Sequence, residues 1–146
     1  MYERFTDRSR TIMQLANDEA EASNCKYILS EHILLGLIRE EDGVAAHILK
    51  NFDIHEDALR HEINRLVETG THVDPSGDSM PLAKFVEDSM DEARRIGHHY
   101  VGSEHMLLAL SRDPKCTATI VLANLGLKPA EVRAEILGLL GHGFDG

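Results

Sequence analysis

Ile12, Met13, Ala16 and Ala20 recur at the three-and-four spacing of one helical face, and Thr6 ahead of them offers a capping hydroxyl. The pattern predicts a helix that ends near Asn24. Ser30 is placed to cap a shorter helix through Leu34, Leu37 and Ile38, which stops at the charged turn Glu40-Glu41-Asp42-Gly43. A third helix is expected from Val44 to Phe52. Asp53 with Glu56 three residues on forms a capping-box pattern, opening a fourth helix through Leu59, Ile63 and Leu66 to Gly70. The stretch THVDPSGDSMP has no apolar period and is rich in Gly, Pro, Ser and Asp, so it reads as a linker.

Beyond the linker the same order returns. Ser79 offers a hydroxyl cap before Leu82, Phe85, Val86, Ser89, Met90 and Ala93, a second helix starts at Ser103, a third runs from about Lys115 to Leu125, and Pro129 stands in the first turn of the last. At an offset of 73 residues, Asp18-Glu19-Ala20 matches Asp91-Glu92-Ala93, SEHILLGL from Ser30 matches SEHMLLAL from Ser103, and Glu62-Ile63 matches Glu135-Ile136. Two copies of a four-helix unit therefore account for nearly the whole chain: repeat one over about 2–70, a linker over about 71–78 and repeat two over about 79–140.

Composition agrees with an all-α fold. Hydrophobic residues make up 42% of the 146 and aromatics only 5%, so aliphatic side chains carry the core. A formal charge of −10 repels phosphate backbones, and no nucleic-acid partner is expected. No apolar run reaches the ~20 residues of a membrane helix, and the N-terminus MYERFTDRSR lacks a signal-peptide core. Two cysteines make no disulfide framework; a cytoplasmic protein with no membrane partner is the expectation.

Nine histidines invite a metal site, yet no H-E-x-x-H pair and no C-x-x-C spacing occurs, so no metal and no cofactor is expected. Cys25 and Cys116 have no base that the sequence can place, and no catalytic residue is assigned. The pattern G-x-x-x-x-G-K-[ST] is absent, so the chain is read as a binding module rather than an enzyme. Ser30 and Ser103 can accept hydrogen bonds from orphan amides, and Glu31 and Glu104 suit a helix first turn. A structural role for these carboxylates stands beside a second reading, in which each holds a guanidinium or ammonium group. His32 and His105 are expected to bond to the neighbouring loop.

The strings FTDRSR, SEHILLGLIREEDGVAAHIL and SMDEARRIGHHYVGSEHMLLAL closely resemble the double Clp N-terminal repeat domain, and among its members the N-domain of ClpC-type AAA+ unfoldases. The resemblance spans about Tyr2 to Leu140. It implies a globular eight-helix bundle in two halves related by a pseudo-twofold axis, at the N-terminus of a hexameric ATPase that feeds unfolded chains to a peptidase. It further implies a non-enzymatic module, monomeric when isolated, that docks adaptor proteins and protein substrates, including arginine-phosphorylated ones. The family's phosphoarginine pocket maps onto Thr6 with Glu31 and onto Ser79 with Glu104. Leu29 stands where the family has glycine, which predicts a first loop unable to take a glycine-only backbone conformation and a better pocket in repeat two, where Gly102 is kept. The sequence fits an excised piece of a longer ATPase or, alternatively, a free-standing adaptor that modulates one. Continuation of the reading frame past Gly146 into a nucleotide-binding module separates the two.

Overall fold

The computed structural model describes residues 1–68 and 82–141. In chain order its helices are α1 (Asp7–Ala22), α2 (Ser30–Arg39), α3 (Val44–Asn51), α4 (Glu56–Glu68), α5 (Leu82–Ile96), α6 (Ser103–Ser111), α7 (Thr117–Asn124) and α8 (Pro129–Gly141). Eight helices in two runs of four match the all-α tandem arrangement expected, and among the described residues the only extended pairing is a bridge between Phe5 and Val101. No described helix is long and apolar enough to cross a membrane. The linker, Gly70 and the Ser79 cap lie outside the described residues.

Four helices end in the same way. One or two residues past the last helical residue the backbone turns left-handed, at Asn24 (φ 57°), Asp53 (φ 58°), Gly97 (φ 85°) and Gly126 (φ 99°). The next amide then reaches back to the helix, from Cys25 to Ala20 O, Ile54 to Leu49 O, His98 to Ala93 O and Leu127 to Leu122 O, at 2.8 to 2.9 Å. This double closure satisfies carbonyls that would otherwise be orphaned, and Asn, Asp and Gly are the residues that accept its left-handed position. Asp53 is therefore a stop for α3. The capping box expected from Asp53 and Glu56 does not form, and α4 begins at Glu56 with the Leu59 N–H on His55 O.

Helices α2 and α6 form the centre. Every residue from Ser30 to Leu37 and from Ser103 to Leu110 is buried, as expected of a helix covered on all sides. Each touches its own half and the other: α2 meets α1, α3, α4, α6 and α7, and α6 meets α1, α2, α3, α5, α7 and α8. Gly36 permits the close crossing of α1 and α2, since a Cβ there would sit 2.6 Å from Ile12 O. One continuous apolar core results, with Ile12, Leu34, Leu37 and Leu49 of the first half joined to Phe85, Met106, Leu107 and Leu122 of the second.

Candidate functional site

The N-caps of α2 and α6 are Leu29 and Gly102, not the serines that follow. Neither cap residue has a polar side chain, so the loop amides are satisfied differently: His32 Nδ1 accepts the Leu29 N–H and His105 Nδ1 accepts the Gly102 N–H, both at 2.8 Å. The expected loop bonds of the two histidines thus form. Ser30 and Ser103 do accept orphan amides, but across the repeat boundary, as their α7 and α3 partners show: Ser30 Oγ takes the Ala118 N–H and Ser103 Oγ the Ala45 N–H, each at 3.1 Å.

Between serine and histidine stand the carboxylates. Glu31 is 4% exposed and Glu104 2%. Glu104 folds back over the Gly102 backbone so closely that a Cβ on residue 102 would collide with its Oε1. Its Oε2 is buried and accepts no hydrogen bond from the described residues. Burial pushes this carboxyl above the ordinary range, with its own backbone amide, His98 and Arg8 pulling the other way. A buried carboxylate oxygen open for one more donor is suited to a cationic guest.

Thr6 caps α1, its Oγ1 accepting the Ser9 N–H at 3.1 Å. The Thr6 N–H donates to Val101 O (3.1 Å), the Val101 N–H to Arg4 O (2.7 Å) and Ser9 Oγ to Val101 O (2.8 Å), which seats the start of α1 on the strand-like lead into α6. Glu31 lies at the far end of α1, where Ser23 Oγ meets His32 Nε2 at 3.3 Å. Sixteen residues of helix put about 24 Å between the two ends. The expected pairing of Thr6 with Glu31 is therefore replaced by a pairing across the repeats, Thr6 with the Glu104 loop. Ser79, and with it the expected Ser79–Glu104 pairing, lies outside the described residues. Glu31 instead lines a cleft of about 300 Å³ with Leu29, Ile63 and Val67.

Leu29 and Gly102 have nearly the same backbone, φ −103°, ψ 170° and φ −100°, ψ 178°. This extended conformation is open to any residue, so the expected glycine-only loop is corrected. What distinguishes the halves is the Cβ: the space that Glu104 fills over Gly102 is occupied by side chain at Leu29.

Two charge clusters escaped the sequence reading. Glu19 receives Arg60 at 2.7 Å and Arg39 at 2.9 Å, and at the same offset of 73, Glu92 receives Arg112 at 2.7 Å and Arg133 at 3.0 Å. The offset itself was the signal that could have found them. Each clamp ties the first helix of its half to the second and fourth.

His98, Glu104 and His105 bring potential ligand atoms within 4.8 Å of one another. The donor set does not fit a metal. His105 Nδ1 already accepts the Gly102 N–H, so its proton sits on Nε2, which faces His98 Nδ1 at 2.9 Å; a metal at Nε2 would require an imidazolate. Cys116 is buried and donates to Leu110 O (3.4 Å), and burial raises its thiol, which suits an inert packing residue.

The model of the Clp repeat (R) N-terminal domain matches residues 4–86 and 79–144. The chain is 40% identical over 147 residues to the negative regulator of genetic competence ClpC/MecB of Bacillus subtilis, covering 100% of this chain and 18% of that protein. To the ATP-dependent Clp protease ATP-binding subunit ClpC of Staphylococcus aureus it is 38% identical, covering 97% and 18%. The N-terminal domain of the chaperone ClpD of Arabidopsis thaliana superposes with a TM-score of 0.70 at 20% identity, covering 97% of both chains. This chain thus spans about a fifth of the curated relatives it matches.

Proposed function

The chain belongs to the Clp repeat (R) N-terminal domain family, and on that premise we propose that it docks protein substrates and adaptors for a ClpC-like ATP-dependent unfoldase and recognises arginine-phosphorylated chains. The observation that carries the ligand is Glu104, a buried carboxylate with one oxygen open, set beside the Thr6-capped start of α1 and the Arg8 side chain. A guanidinium can share a carboxylate by two parallel hydrogen bonds, and a phosphate suits the positive end of a helix. On this reading the guanidinium goes to Glu104 and the phosphate to the start of α1, where the two repeats meet. Glu31 is the equivalent of Glu104 at the offset of 73.

Calorimetric titration of phosphoarginine into the native chain and into Glu31→Ala and Glu104→Ala tests this reading. Binding is expected, weakened about tenfold or more by Glu104→Ala, the cost of a charged hydrogen-bond partner, and less by Glu31→Ala. No binding to the native chain removes the ligand and leaves protein docking standing. Equal losses in the two variants remove the inequality assigned to Leu29 and Gly102.

A further inference from the structure

We propose that the cleft between the N-terminal segment and the α5–α6 connection is a second docking site, for an acidic peptide segment that carries an apolar residue. The cleft holds about 450 Å³ and is lined by Arg4, Arg94, His98, His99 and Tyr100 over a floor that includes Met90. Among the described residues no carboxylate lines it, in a chain whose net charge is −10. Such a local reversal of sign selects an anionic partner, and the apolar floor selects what accompanies the anion.

The arginines are available. Arg4 is exposed and uses one guanidinium nitrogen on His99 O at 3.3 Å, which holds the side chain across the cleft. Arg94 is 64% exposed and only loosely paired to Asp91 at 3.6 Å, while Asp91 is also engaged by Arg112 and, at 3.1 Å, by Arg95.

A third donor is fixed by the hydrogen-bond direction. The Gly102 N–H fills His105 Nδ1, so His105 Nε2–H must donate to His98 Nδ1, and His98, which lines the cleft, then carries its proton on Nε2, the nitrogen not used by His105. Stacking on Tyr100, with ring centroids 5.1 Å apart and planes 10° from parallel, holds the His98 ring in that orientation. The first half lacks this device. Its His32 Nε2 meets Ser23 Oγ, and Ser23 in turn donates to backbone carbonyls of α1, so the chain of bonds ends on the α1 backbone; Cys25 stands where the second half has His98.

The test uses the 146-residue chain, isotope-labelled for amide NMR, and a capped hexapeptide in which two glutamates flank a leucine. A matched peptide with glutamine for glutamate is the control. Expected are shifts confined to residue 4 and residues 90–101, suppression by added salt, and a loss of about fivefold in affinity for Arg4→Gln and for Arg94→Gln. Both arginines are exposed, so the variants should keep the native urea midpoint. His98→Phe should retain the stack and lose affinity through the missing donor. Phosphoarginine binding should persist in the two arginine variants, so that failure of either ligand is read separately. Equal binding of the glutamine peptide, shifts mapping elsewhere, full affinity in both arginine variants, or displacement of the peptide by inorganic phosphate alone would each overturn the proposal.

Discussion

Ser30 Oγ accepts the N–H of Ala118, 88 residues further on, and Ser103 Oγ accepts the N–H of Ala45 in the equivalent contact. The local N-caps of α3 and α7, Gly43 and Cys116, make no side-chain capping bond, so each half's second helix caps the third helix of the other. Ser30→Ala and Ser103→Ala should each cost about 1 to 2 kcal/mol in urea unfolding, because each leaves a buried amide unsatisfied. A single cooperative transition is expected, with both halves lost together. Separate melting of the halves would contradict the cross-capping.

Gly102→Ala places a methyl group against the Glu104 carboxylate. Glu104 must then leave its position over residue 102, and phosphoarginine affinity should fall about tenfold with little change in helix content. The backbone itself takes alanine without strain, since residue 102 is extended. Calorimetry beside circular dichroism measures both effects. A variant with native affinity would show that the folded-back carboxylate is not the binding form.

Glu92 is fully buried and shared by Arg112 and Arg133, whereas Glu19 keeps some exposure and its partner Arg60 also reaches Glu56. Burial pushes the Glu92 carboxyl up, and the two guanidiniums outweigh that and leave it below the ordinary range. Glu92→Gln should destabilise by about 2 kcal/mol or more and Glu19→Gln by less, as a buried pair loses more than a wetter one when one member is removed. Chemical denaturation of the two variants gives the ranking.

His105 is held neutral: burial, with the charge of His98, lowers it from 6.5 to about 4. Since the unfolded chain binds the proton first, acidification from pH 6.5 towards 4 should reduce stability, by up to about 3 kcal/mol from this group. The groups facing the ring are His98, Tyr100, Glu92, Glu104 and the Gly102 amide. Glu104, raised by burial, works in the opposite direction because its folded form takes up a proton earlier. His105→Gln offers an amide oxygen to the Gly102 N–H and should flatten the slope between pH 4 and 6.5. Urea midpoints followed across that range test it.

Helix periodicity, the offset of 73 and the cap residues determined the eight helices and their grouping into two fours, because these depend on contacts within a few residues. Thr6 capped α1 as its local pattern required, and His32 and His105 bonded to their own loops. Other assignments needed the third dimension. Asp53 carried a legible capping box, but the closure of α3 in a left-handed turn claimed it first. The serines of Ser-Glu-His were legible as acceptors while their donors lay 88 and 58 residues away. The family resemblance pairs Thr6 with Glu31, and only the antiparallel crossing of α1 on α2, with the Phe5–Val101 bridge, sets Thr6 beside the Glu104 loop instead. Local sequence sets which segments become helices and where they stop; which helix end meets which carboxylate is set by packing two imperfect copies around one shared core.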